Sequence, residues 1–171
     1  MFPADLVDEA QRLLAELRAR HMMLAIAESC TGGLLIGVLT ETPGASDVIE
    51  RGFVTYSDKA KISCLGVRPQ LLARCGAVSP EVARAMAEGA LVHSEADLAI
   101  AVTGIAGPGS GTAEKPVGLV RLAIARAGGT PLDTELRFGD LGRSRIRLET
   151  VRAALGFVRQ SLGTAADAQH D

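Results

Sequence analysis

The chain has 171 residues, 47% of them hydrophobic and 3% aromatic, with a formal net charge of −2. That length suits one domain with a sizeable, aliphatic core. Mild acidity and few aromatic rings argue against a base-stacking nucleic-acid binder and against a drive toward anionic membranes.

From Asp5 to Arg20, Leu6, Val7, Ala10, Leu13, Leu14 and Leu17 recur at helical spacing, with Asp5 as a cap. Met22 to Ala27 reads as a buried strand, and Thr31 to Thr40 as a helix stopped by Pro43-Gly44. Gly52 to Tyr56 predicts a short strand, and Asp58 to Leu65 a helix ending at Gly66. Pro69 to Arg74 reads as a helical turn. Ser79-Pro80-Glu81 is a strong start for a helix reaching His93. Asp97 to Thr103 is a near-continuous apolar run, as expected of a central strand. After the loop Gly104–Pro116, Val117 to Ala125 and Leu132 to Phe138 predict strands joined by Gly128-Gly129. Arg145 to Leu162 is the last helix, and 163–171 reads as a frayed tail. Helices and strands alternate before two strands fall side by side. The fold expected over 1–162 is therefore a single-domain three-layer α/β/α sandwich with a mixed sheet.

No apolar run is long enough to span a bilayer. Met1-Phe2-Pro3-Ala4-Asp5 lacks the basic-then-apolar pattern of a signal peptide, so a cytoplasmic location is expected. Cys30, Cys64 and Cys75 form no CxxC pair and read as free thiols. No His-rich or paired-Cys metal set emerges, and nothing calls for a cofactor.

The most informative stretch is Ala27-Glu28-Ser29-Cys30-Thr31-Gly32-Gly33, a strand end, turn and helix start. Helix N-termini present unpaired N–H groups that suit anions and oxyanions. The stretch reads either as a small-residue turn capped by Ser29 or Thr31, or as a cradle for a nucleophile. A serine nucleophile needs a base. None of His21, His93 and His170 sits in a motif-like setting, so lysine is the next candidate. Lys59 and Lys61 follow a strand end, and either can face Ser29. Cys30 is an alternative nucleophile, or a small buried filler. Arg143, Arg145 and Arg147 crowd a helix start that the macrodipole makes unfavourable for cations. They mark either an anionic partner such as phosphate or a solvated basic face.

The Ala27–Gly33 stretch, Arg51-Gly52-Phe53-Val54-Thr55-Tyr56-Ser57, Gly76-Ala77-Val78-Ser79, Thr103-Gly104-Ile105-Ala106-Gly107-Pro108 and Lys115-Pro116-Val117-Gly118 follow one another in this order. Together they resemble the CinA C-terminal domain family, the nicotinamide-nucleotide amidohydrolases, over nearly the whole chain. The resemblance implies metal-free hydrolysis of the carboxamide of nicotinamide mononucleotide (NMN) to nicotinate mononucleotide and ammonia. It implies Ser29 as nucleophile, Lys61 as base and Tyr56 as the site tyrosine. It also implies that Cys30, Thr31, Gly32 and Gly33 in the turn, Thr103 and Gly104 at a strand end, and Arg143 hold the substrate. Backbone N–H groups over Cys30–Gly32 are expected to hold the oxyanion.

The family's Gly-Asp-Arg run is altered here to Gly139-Asp140-Leu141-Gly142-Arg143, and Arg143 takes the arginine position when counted back from Ile146-Arg147. The chain opens almost directly on its first helix, so it resembles the free-standing form rather than the form fused behind a nucleotide-processing domain. A homodimer or higher oligomer is implied, with no nucleic-acid or membrane partner. The competing expectation is a nucleotide-binding or accessory protein without turnover, linked to competence or DNA damage.

Overall fold

The computed structural model describes residues 1–109 and 111–167. Its centre is a five-stranded sheet of order β2-β1-β3-β4-β5, formed by Leu24–Glu28 (β1), Ile49–Val54 (β2), Leu98–Gly104 (β3), Leu119–Arg126 (β4) and Leu132–Arg137 (β5). β1 runs parallel to both β2 and β3, whereas β4 and β5 are antiparallel additions. The helices are Ala4–Ala19 (α1), Leu34–Thr40 (α2), Asp58–Leu65 (α3), Pro69–Cys75 (α4), Pro80–Val92 (α5) and Arg143–Asp167 (α6).

The two faces of the sheet differ in side-chain size, because strand residues alternate between faces. Leu24, Ile26, Leu98, Ile100, Val102, Val120, Leu122 and Ile124 point to one side, into a core with residues of α1, α2 and α6. Ala25, Ala27, Ala99, Ala101, Ala123 and Ala125 point to the other side, where α5 lies. α5 meets them with small residues of its own, Ala83, Ala87 and Ala90. Close packing extends to α3: a Cβ added at Gly89 would fall 2.0 Å from the Leu65 carbonyl oxygen. The result is the expected α/β sandwich of three layers around a mixed sheet.

Several boundaries move. α2 starts at Leu34 rather than Thr31, since Gly32 (φ +60°) and Gly33 (φ +92°) adopt left-handed backbone that a helix cannot include. β2 begins earlier, at Ile49, which pairs with Leu24 of β1; the register then skips Glu50, and Arg51 pairs with Ala25. α6 runs past the expected end at Leu162 to Asp167, so the tail read over 163–171 overlaps its final residues. Residues 168–171 lie outside the described residues. Among the described residues, no helix is long and apolar enough to cross a membrane.

Candidate active site

β1 delivers its chain to α2 on one face of the sheet, and the chain returns to β3 through α3, α4 and α5 on the other. In open α/β sheets such a divergence leaves a crevice at the carboxyl ends of the strands. A cleft of about 280 Å³ lies there, lined by Ser29, Tyr56, Asp58, Lys61, Thr103 and Arg143 among others. A larger groove of about 720 Å³ runs between α4, α5 and the β4–β5 turn, away from all the predicted site residues. Size does not decide between the two, since the smaller one brings a serine hydroxyl beside a buried lysine amine.

Ser29 directly follows β1, and its backbone N–H donates to the Val102 carbonyl of β3 (3.0 Å). Its hydroxyl oxygen lies 3.0 Å from Lys61 Nζ. Lys61 comes from α3, whose start is fixed by Ser57 accepting the Ala60 N–H. The lysine is 1% exposed, and Nζ also donates to the Thr55 carbonyl at 2.9 Å. Thr55 in turn is held to Glu28 by a backbone N–H···O bond of 2.7 Å. Burial drives the Lys61 amine below the ordinary lysine value, partly opposed by the Asp58 carboxylate. Its two hydrogen-bond contacts are neutral oxygens, so among the described residues the ammonium has no directly bonded counter-charge. Of the two lysines left open by the sequence, Lys61 is thus the one brought to the serine.

Cys30 is 6% exposed and borders the cleft, but burial pushes its thiol up to about 12. A thiol in that state is a packing group rather than a nucleophile near neutral pH. Thr103 and Gly104 both line the cleft, and the Thr103 hydroxyl donates to the Ala77 carbonyl (2.9 Å), joining β3 to the segment before α5. Arg143, the first residue of α6, donates to the Gly107 carbonyl (2.7 Å) and to the Tyr56 hydroxyl (2.6 Å). Tyr56 is 59% exposed and stands at the mouth, bonded to Arg143 rather than to Ser29 or Lys61.

The turn after Ser29 differs from expectation. Thr31, Gly32 and Gly33 do not line the cleft. Thr31 is fully buried, and its carbonyl accepts Arg147 Nη2 at 2.7 Å. The Gly32 N–H returns to the Ser29 carbonyl (3.1 Å), so it is not free for an oxyanion. Neither Ser29 nor Thr31 caps α2. The fully buried Glu28 does so, accepting the N–H groups of Gly33 (3.0 Å), Leu35 (3.1 Å) and Ile36 (2.9 Å). The helix N-terminus read as an anion site is thereby filled by the protein's own carboxylate. Of the expected oxyanion donors, the N–H groups of Cys30 and Thr31 are not committed to another of the described residues, and of these two only Cys30 lines the cleft.

Glu28, Thr55 and Asp58 are the participants that reasoning from sequence gave no role, and Arg147, marked there for an anionic partner or a basic face, instead holds the Thr31 carbonyl. Glu28 and Thr55 sat inside the quoted motifs, and the signal was their adjacency to Ser29 and Tyr56. Arg147 left only its place in the arginine run. Among the described residues, no group of His, Cys, Asp and Glu side chains is arranged to hold a metal ion.

Comparison with known proteins agrees with this architecture. A CinA-like protein of Akkermansia muciniphila is 51% identical over 143 residues, covering 84% of this chain and 34% of its own length. A CinA-like protein of an Anaeromyxobacter species is 47% identical over 156 residues, covering 91% of this chain and 38% of its own. The chain spans about a third of the length of the curated relatives it matches. The crystal structure of the competence/damage inducible protein CihA from Agrobacterium tumefaciens superimposes with a TM-score of 0.91 at 51% identity, covering 95% of this chain and 98% of that one. A CinA superfamily protein from Escherichia coli gives 0.86 at 33% identity, covering 94% and 93%. Residues 7–162 match the CinA C-terminal domain, and the chain belongs to that family.

Proposed function

We propose that this chain is an amidohydrolase that cleaves the carboxamide of NMN, with Ser29 as nucleophile and Lys61 as general base. The observation that carries this reading is the 3.0 Å approach of Lys61 Nζ to Ser29 Oγ in a buried setting that favours the neutral amine. A neutral amine offers a lone pair, so the hydrogen bond reverses and the Ser29 O–H donates to Nζ.

Ser29 Oγ attacks the carboxamide carbon while its proton passes to Lys61. The carbonyl oxygen becomes an oxyanion, facing the N–H of Cys30, the one expected donor whose residue lines the cleft. The C–N bond then breaks, and the nitrogen leaves as ammonia after taking back from Lys61 the proton that came from Ser29. Tyr56 accepts an N–H from Arg143, which leaves its own O–H to donate a hydrogen bond, without transfer of its proton, to the departing nitrogen. Lys61, again neutral, deprotonates a water that attacks the acyl ester. Ser29 is released with nicotinate mononucleotide. Arg143 is the cleft's guanidinium, suited to the 5′-phosphate once that group displaces its contacts to Gly107 and Tyr56.

A second reading is a nucleotide-binding or accessory role without turnover. It is favoured by the name of the Agrobacterium neighbour, which speaks of competence and damage and of no amide. Ammonia release measured with NMN, nicotinamide riboside and nicotinamide separates the two. Release from NMN that disappears in Ser29→Ala supports the amidohydrolase. Binding of NMN with no ammonia supports the second reading and overturns the first.

A further inference from the structure

The cleft contains one charged group that neither the Ser29–Lys61 pair nor Arg143 uses. Asp58 opens α3 and lines the cleft together with Lys61. The two stand three residues apart, so α3 turns both to one side. Among the described residues, Asp58 is the only carboxylate on the cleft wall, and its side chain makes no ion pair or hydrogen bond with any of them. An acid in a first helical turn is ordinary, because it meets the positive end of the helix dipole. That explanation is incomplete here. The Asp58 charge favours the ammonium form of Lys61, which opposes the lysine's use as a base. A carboxylate at this position costs the reaction something unless it acts on the substrate.

Lys61 is neutral when it works, so the fixed charges of the cleft are Asp58 and Arg143, of opposite sign. A ligand that carries a cationic ring and an anionic group finds a partner for each. We propose that Asp58 selects the positive charge of the substrate ring, so that the cleft prefers an amide on a cationic heteroaromatic ring to the same amide on an uncharged one. This rests on the amidohydrolase reading for the identity of the amide, but charge selection is measurable by binding alone.

The probes are NMN and its 1,4-dihydro form, which differ by one positive charge on the ring and keep the same amide, ribose and phosphate. Calorimetric titrations in a Ser29→Ala background prevent turnover. The oxidised form is expected to bind roughly fivefold more tightly than the reduced form, the scale of one partly exposed ion pair. Asp58→Asn, which keeps the side-chain shape, is expected to bring the two affinities together, and Asp58→Glu to restore the preference. An equal preference with and without Asp58→Asn overturns the proposal, as does the absence of any preference in the parent. Ammonia release by the unmutated chain is scored separately. Asp58-dependent preference without ammonia release sinks the amidase reading and leaves charge selection standing. Ammonia release without such a preference does the reverse.

Discussion

The carboxylate of Glu28 accepts the backbone N–H of Ile36 at 2.9 Å, one of three N–H groups at the start of α2 that it occupies. Glu28 is also the last residue of β1, and its carbonyl accepts from the Thr55 N–H. One residue therefore closes the helix on one side of Ser29 and holds the strand end that carries the Lys61 contact on the other.

Glu28→Ala leaves buried donors unpaired and opens space beside Ser29. The expected loss of stability is about 1–3 kcal/mol, read as a lower urea midpoint with an unchanged slope. Turnover should fall with it, because the Ser29–Lys61 geometry depends on the same residue. A variant as stable as the parent would show that the helix start finds equivalent partners elsewhere.

Lys61 makes a pH-dependent prediction. Its amine titrates below the ordinary lysine value in the folded chain because burial disfavours the charge. In the unfolded chain it returns to about 10.4. Between those two values the unfolded state holds the extra proton, so folding stability rises with pH through that window. Below it, the buried ammonium costs its full penalty. Lys61→Met should therefore abolish turnover yet raise Tm near neutral pH by about 2–4 °C. The gain should shrink as pH rises toward about 10. A thermal scan series that shows the same gain at every pH would contradict a depressed Lys61.

Cys30 tests the choice of nucleophile. Its thiol is buried and raised to about 12, so almost none of it is thiolate near neutral pH. Cys30→Ala should retain turnover within a few-fold, and iodoacetamide should inactivate the parent slowly or not at all. Rapid inactivation that is lost in Cys30→Ala would move the chemistry to the thiol.

Much of the fold was readable because its cause is local. The near-continuous apolar run before Thr103 becomes β3, and Ser79-Pro80 starts α5 with the Ser79 hydroxyl accepting the Val82 N–H. Lys61 was within reach of sequence reasoning because it follows a strand end, but choosing it over Lys59 needed the resemblance or the structure. What stayed hidden depends on contacts distant in sequence. Tyr56 and Arg143 are 87 positions apart and meet only when α6 docks beside the cleft. Glu28 precedes its helix by several residues, so it does not look like a cap. The left-handed backbone of Gly32 and Gly33 then shifts the helix start away from the hydroxyl residues that resemble caps.

The central claim is that Ser29, with Lys61 as its base, forms the bond to the substrate's carbonyl carbon. The most direct measurement is acid quenching of the protein during incubation with NMN, followed by mass mapping of the peptide containing Ser29 and Cys30. A nicotinate-mononucleotide ester on Ser29, absent from Ser29→Ala, is the predicted result. An adduct on Cys30, or full turnover by Ser29→Ala, would contradict it.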